Sequence, residues 1–458
     1  MDKMKIREEK AMLVFKIFYL LHVLLAFNCF TLKLSVLNIT SLVLTGIGGI
    51  LLIQKVIRNK FRFSYKFLFV LILFLVSYFI SSAVNWKYGY MGNIKGMIWM
   101  IFQFFLLYWV DAKDETVKKE VHVFSGVLIA YTTICSLAGV IMAVIGFGGR
   151  KDFPDGSGTF YGFIWGRLWG CYTDPNHGAL ITAIAILAAV YIIKIVEKKW
   201  CKVLLRTTIV VNFLYIVLSD SRSTKLSLTF GCFVWMCIQL KAKIEVEKTG
   251  IVKRILMIFI CTILLYSSFG IVKTGYNYII QQIYTASEDD MENDSTHVVG
   301  REEDIEADYS NRRFDIWGSG VEIFKENKVF GVSFRNILPY AEQEMADTYI
   351  VSNDYGKFDS FHNVVIDVLV SQGIVGISLF FIFVFLVIAY ACKKVFVMGC
   401  CQIPRIQFLM VAVLVIAVDA MFISAVFFVN SPETIVFWTL LGYLIHQLNV
   451  EEKKECTN

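Results

Sequence analysis

The sequence predicts an all-α polytopic membrane protein of about twelve transmembrane helices with one large extracytoplasmic loop. Three observations carry that prediction. The 458 residues are 57% hydrophobic and only 18% charged, with a mean hydropathy of +0.62, outside the range of ordinary soluble domains. Apolar runs of roughly 18 to 25 residues recur from end to end, and a run of that length satisfies its own backbone hydrogen bonds in hydrocarbon only as a helix. Lys and Arg collect in alternate connections, the pattern of cytoplasmic loops.

The runs fall near 12–31, 34–54, 67–84, 94–110, 122–147, 178–196, 203–219, 225–240, 252–272, 363–390, 406–428 and 433–448. The first has basic residues ahead of it but lacks a small-residue cleavage site, so it reads as an uncleaved first helix. With the N-terminus inside, the inner connections hold Lys3, Lys5, Arg7 and Lys10, then Lys55, Arg58, Lys60, Arg62 and Lys66. Later inner connections repeat the excess, for example Lys198, Lys199, Lys202 and Arg206. Both termini are therefore expected in the cytoplasm. The formal charge of +6 is then a signature of orientation in lipid and gives no argument for nucleic acid. Of the eleven cysteines, only Cys171 and Cys29 are placed to reach the outside, so no disulfide framework or Cys-based metal site is readable.

Three regions follow: 1–272 with nine spans and short connections, 273–361 as one extracytoplasmic loop, and 362–458 with three spans and a short cytoplasmic tail. The loop carries 18 acidic side chains against 8 basic ones. Its densest stretch, Ser287 to Asp308, has few apolar residues and no helical stripe, which fits a solvated segment better than a metal site. From about Asp308 to Asn327 a helical pattern emerges, with Trp317, Val321 and Phe324 on one face and Asp315, Glu322 and Glu326 opposite. Arg313 projects from the apolar face and needs a partner there. Two shorter outer features are 148–177 and the turn Ser219 to Lys225.

The topology puts four chemically capable side chains on one side: Arg167, Arg222, Arg313 and His362. A planar guanidinium matches phosphate oxygens bidentately and stays charged when desolvated, so arginines at an outer surface suit a lipid-linked phosphate or pyrophosphate. For any one of them alone, headgroup binding or snorkelling is an equal reading. His362 stands at the mouth of the tenth span, after Asp359 and Ser360 as candidate N-caps, where the helix dipole disfavours a proton on the ring. A neutral imidazole there suits a base, with Asp359 and Asp367 the neighbours available to orient it, although five residues on a helix do not put Asp367 squarely on its face; a capping histidine without chemistry is the alternative. Asp174-Pro175-Asn176 reads as an N-cap followed by proline at the first helical position. Asp419 lies within an apolar span, where an ionisable group is costly and expected either protonated or paired with another span, such as that of His22.

At these residues the chain resembles the O-antigen ligase and O-antigen polymerase superfamily, bacterial membrane enzymes acting on undecaprenyl-pyrophosphate-linked glycans. The resemblance lies in Arg167-Leu168-Trp169-Gly170 with Asp174-Pro175-Asn176 before a span, and in Ser221-Arg222-Ser223 before the eighth helix. It continues through Arg313-x-x-x-Trp317, Gly331, His362-Asn363 and Gly373-x-x-Gly376 in family order. It implies a GT-C-like membrane glycosyltransferase architecture in the bacterial plasma membrane and a metal-independent glycosyl transfer without cofactor. Arg167, Arg222 and Arg313 would hold the donor's pyrophosphate and His362 would assist the acceptor hydroxyl, with Asp174, Asn176, Trp317 and Asn363 lining the substrate. The implied partners are an undecaprenyl-pyrophosphate-linked oligosaccharide, membrane lipid, a chain-length regulator and a flippase.

Polymerases of this group are also marked by an arginine and a glycine with ten residues between them in two outer loops; Arg167 and Gly178 fit, whereas Arg312 and Arg313 lack the glycine. A polymerase is favoured over a ligase, the difference being the acceptor, which no residue reads directly. A lipid-linked sugar transporter or flippase is the reading of another class. It would need polar groups at the midplane on broken helices in two related halves, and the chain offers Asp419, five prolines and no repeat. A sensor with an acidic outer domain is a third, weaker reading.

Overall fold

The computed structural model describes residues 2–244, 250–285, 297–300, 310, 312–354 and 356–455. Most of the acidic stretch Ser287 to Asp308 lies outside the described residues. The twelve apolar stretches each hold a helix. In chain order these are α1 (Asp2–Ala26), α2 (Ser35–Arg58), α3 (Leu68–Val84), α4 (Met91–Phe102), α5 (Asp114–Val144), α6 (Pro175–Ile195), α7 (Lys199–Ser219), α8 (Arg222–Ile244) and α9 (Ile251–Thr285). Two shorter helices of the long connection follow, α10 (Arg313–Glu326) and α11 (Ile337–Glu344), and then α12 (Val364–Cys392), α13 (Pro404–Asp419) and α14 (Pro432–Glu455). Six of them, α2, α5, α6, α7, α9 and α12, are long and apolar enough to cross a membrane by length and composition. The chain is an integral membrane protein.

Position in the bundle follows from which faces are apolar. In α6 every side chain from Gly178 to Ala189 is buried, and its alanines let α5, α7 and α13 approach closely. In α9, by contrast, Ile263, Leu264 and Ile271 are each more than 60% exposed, and α2 likewise turns Ile39, Leu42 and Ile53 outward. Exposed aliphatic surface of that extent suits lipid. The beginning of α1 and the end of α14 lie at one end of the bundle, the terminal end, where Arg58 contacts Glu8 and Asp111, and Lys66 contacts Glu452 across a cavity that Asp111 also lines.

The opposite end departs from all-α architecture. Residues expected as a plain outer connection form a small antiparallel sheet, β1 (Gly148–Asp152), β2 (Gly158–Ile164) and β3 (Arg167–Gly170), in the order β1-β2-β3. Between β2 and β3 only Trp165 and Gly166 remain, both at positive φ (51° and 64°), the conformation of a tight two-residue hairpin.

Five further expectations need correction. The eleventh span does not run to Phe428: α13 stops at Asp419, and residues 420–431 cross this end as irregular chain, with Val426 and Phe428 at positive φ. Their apolar side chains are buried against aromatic rings, Phe427 on Phe74 at 4.7 Å and Phe428 on Phe334 at 5.0 Å, which is why composition alone reads them as span. Second, α10 does not bury Val321, which is 42% exposed. Its buried face is Ile316, Ser319, Gly320 and Ile323, with Trp317 and Phe324 flanking. A Cβ at Gly320 would lie 2.6 Å from Ile366, so small residues, invisible to a hydrophobic stripe, bring α10 against the mouth of α12. The remaining three concern the cap of α12, Asp367, and His22 as the partner of Asp419, and belong to the site.

Within α12 the helix breaks at Gly373 (φ 61°). The freed backbone groups are taken by the segment between α10 and α11: Val332 N–H donates to Val370 O (2.9 Å), Ser333 N–H to Ser371 O (2.9 Å) and Ile374 N–H to Lys328 O (2.8 Å). A Cβ at residue 373 would sit 2.4 Å from the carbonyl of Val329, so the contact requires glycine. The long connection is thus laced into the bundle beside the site, and backbone satisfaction in the apolar interior explains the lacing.

Candidate active site at the sheet end of the bundle

The β2–β3 hairpin delivers Arg167 to the start of α6. Its Nε donates to Ser219 O (2.9 Å) and its Nη2 to Asn176 Oδ1 (2.8 Å), tying β3 to the end of α7 and the first turn of α6. Asp174 caps α6, accepting from Asn176 N–H (2.7 Å) and His177 N–H (3.3 Å). Burial alone would raise the Asp174 carboxyl, but His177, Arg167 and the two cap donors outweigh it and hold the group below the usual carboxylate range. One residue further, His177 Nδ1 lies 2.7 Å from Oε1 of Glu433, in the first turn of α14.

A second strand of structure presents His362. Asn363, and not Asp359 or Ser360, is the N-cap of α12: its Oδ1 accepts from Val365 N–H (2.9 Å) and Ile366 N–H (3.3 Å), and its Nδ2 donates to Met421 O (3.1 Å). Preceding it, Phe361 is pinned at both backbone groups, its N–H donating to Asp367 Oδ1 (2.8 Å) and its C=O accepting from Trp317 Nε1 (3.1 Å). Asp367 also accepts from Ser424 Oγ (2.8 Å). Both of its oxygens are taken, by Phe361 N–H and Ser424 Oγ, so it fixes the backbone before His362 and does not orient the ring. Between these two anchors His362 sits at φ 49°, a left-handed conformation costly for a residue with a Cβ and sustained by its surroundings.

Electrostatics show what converges on that ring. Burial lowers the His362 pKa; Asp174 and Asp359 oppose this, while His177 and Arg313 add to it. Arg313 reaches in from the start of α10, its Nη2 donating to Phe422 O (3.1 Å) and its guanidinium lying over the Phe422 ring at 5.4 Å. Arg167, Asp174 and Asn176 thus gather at the mouth of α6, and Arg313, Trp317, His362 and Asn363 at the mouth of α12, with Asp174 and His177 near enough to act on the His362 ring.

Arg222 is placed beside this group. It opens α8 after Asp220 (φ 50°) and lines a cavity of about 140 Å³ with Asp220, Lys225, Phe269 and Lys273, where Lys273 Nζ stands 3.3 Å from Asp220 Oδ1. Ser219, which receives Arg167, joins the two. Asp419 takes a hydrogen bond from Ser227 Oγ (2.9 Å), with Ser223 and Thr224 also turned to it. It is not paired with His22, whose Nδ1 meets Thr40 Oγ1 at 2.8 Å. Among the described residues no group of three or more His, Cys, Asp and Glu is arranged to hold a metal ion.

Sequence reasoning named His177 only as part of a segment and passed over Glu433. An acid in the first turn of a helix is ordinary, since the macrodipole favours it there, so Ser431-Pro432-Glu433 gave no sign that its carboxylate would be fully buried. Residues 207–381 match a family model described as O-antigen ligase. The match covers Arg222, Arg313, Trp317, His362 and Asn363, while Arg167, Asp174, Asn176 and Glu433 lie outside it. No curated protein matches the chain.

Proposed function

We propose, on the premise that the chain belongs through residues 207–381 to the O-antigen ligase superfamily, that it polymerises undecaprenyl-pyrophosphate-linked oligosaccharide repeats. The family role is polysaccharide assembly on a lipid-linked oligosaccharide; the polymerase assignment is our reading. Arg167 and Arg313 receive the donor's pyrophosphate, with Arg222 adding charge from the neighbouring cavity. Fixed cations aimed at a leaving group whose charge grows in the transition state accelerate transfer without reorganising. They supply the charge that a metal ion supplies elsewhere, so the reaction is read as metal-independent. His362, kept neutral by burial, accepts the acceptor hydroxyl's proton as that oxygen attacks the anomeric carbon and the bond to pyrophosphate breaks. By the excess of Lys and Arg at the terminal end, both termini are read as cytoplasmic and this site as facing outward. Asp174, Asn176, Trp317 and Asn363 hold the frame or line the sugar.

What supports this reading most is Arg313, Asp174 and His177 lying near enough to act on the buried His362 ring, with Arg167 tied to Asn176 beside Asp174. Purified protein given a defined lipid-linked repeat should yield a ladder of longer lipid-linked glycans, lost in H362A and R313A. Transfer only to an added lipid or protein acceptor, with no ladder, would make it a ligase instead.

The break in α12 is the feature that would favour a flippase, since transporters bind substrate at broken helices. Here the groups freed at Gly373 are consumed by residues 328–333, which argues for a structural break. Flipping of a labelled lipid-linked sugar in liposomes, abolished by D419N, would reverse the ranking.

A further inference from the structure

Glu433 is fully buried, yet its one hydrogen bond is to His177; Oε2 has no hydrogen-bond partner among the described residues. A carboxylate removed from solvent needs a cation, and the imidazolium of His177 at 2.7 Å is the group in place to be it. The ring itself is 22% exposed, and Nε2 makes no hydrogen bond to a described residue. One nitrogen is thus held by a buried carboxylate while part of the ring stays open to solvent, the arrangement by which a carboxylate orients a reacting histidine. The neighbours are those of the site: Asp174 on its own helix, Glu433 on α14, Asp419 on α13, and His362, to which His177 is close enough to bias its titration. Asn176, adjacent in sequence, accepts from Arg167.

We propose that His177, oriented by Glu433, is a second histidine of the active site and gives its Nε2 proton to the departing pyrophosphate. This rests on the glycosyl-transfer reading above. The two histidines then divide the work, as two titratable groups in contrasting environments do. As the acceptor oxygen bonds to the anomeric carbon, its proton passes to His362. The anomeric carbon–oxygen bond breaks with its electron pair going to the pyrophosphate, which takes the proton from His177 Nε2. Proton exchange with water restores the cation at His177 and the neutral ring at His362, so no oxidant, reductant or further reactant is needed. Glu433 acts through His177 and is a positioning residue.

The test uses the full chain in lipid nanodiscs, with transfer on a defined lipid-linked repeat followed against pH and with inorganic pyrophosphate as a binding probe. In H177Q, kcat should fall by roughly 10²–10⁴, the range for losing a general acid, and stabilisation by pyrophosphate in thermal unfolding should weaken. E433Q keeps an acceptor for Nδ1–H but removes the charge, so the alkaline limb of the kcat profile should move to lower pH. An unmoved limb with lowered thermal stability would make the pair a clamp between α6 and α14 and overturn the proposal. Where H177Q does not fold, the E433Q profile decides alone. If wild-type protein transfers no sugar, the glycosyl-transfer reading fails separately. The role of His177 is then judged on pyrophosphate binding, which must weaken in H177Q for the assignment to stand.

Discussion

The two ends of the bundle hold their cations against different partners. At the terminal end Lys16 Nζ, 2% exposed, lies 2.7 Å from Glu120 Oε2, and Tyr443 Oη donates to the same oxygen at 2.8 Å. Lys66 and Lys394 share Glu452 at 2.7 and 3.4 Å, and Arg58 meets both Glu8 and Asp111. These cations are matched by carboxylates. At the sheet end Arg167 and Arg313 are steered by the carbonyl oxygens of Ser219 and Phe422. A carbonyl fixes where a guanidinium points; a carboxylate also offsets its charge. Carboxylates thus hold helices together at the terminal end, while backbone carbonyls direct Arg167 and Arg313 at the sheet end.

That contrast breaks most sharply with the largest expected effect. K16A leaves Glu120 buried without its cation and should cost about 3–5 kcal/mol of stability, the range for breaking a buried pair, with turnover per folded molecule unchanged. Thermal unfolding and specific activity on one preparation check both halves. R313A should do the reverse, lowering turnover roughly 10²–10³-fold, as loss of one preorganised donor does, with little change in thermal unfolding. A variant that lowered both equally would erase the distinction between the ends. The cap of α12 should give a smaller, intermediate result: N363A should cost about 0.5–2 kcal/mol and disorder His362, while N363D, which keeps an acceptor for Val365 and Ile366, should retain most stability.

The pH dependence is the finest probe. Because burial disfavours the charged form of His362, the acid limb of kcat/KM should lie below the ordinary histidine value of 6.5. R313A, by removing a cation that adds to this effect, should move the limb to higher pH. The same depression means that the unfolded chain takes up a proton the folded one refuses as pH falls through 6.5, so this group makes stability decline on acidification. A limb that stayed in place in R313A would separate Arg313 from His362.

Much of the bundle was legible in the chain because hydrophobicity and length decide where helices form in lipid, and the twelve apolar stretches each hold one. Boundaries were less so. Residues 420–428 are as apolar as a span, yet they fold as irregular chain because surrounding aromatic rings, and not their own backbone spacing, make them buried. Arg167, Asp174, Arg313 and His362 could be named from polar residue types at helix mouths. Their meeting could not, since it depends on a hairpin turn, on Gly320 admitting α10, and on Phe361 being pinned from two helices.

By itself the sequence determined that this protein lives in a membrane, which stretches are helical, and which side chains are too costly there to lack a purpose. Those properties are local sums over solvation and hydrogen bonding. Only the tertiary structure decided that Asp367 holds backbone while Glu433 holds His177, and that Asp419 turns to Ser227 and not to His22. A buried charge is satisfied by whatever the packing brings within about 3 Å of it, and that distance is set by helices far apart in the chain.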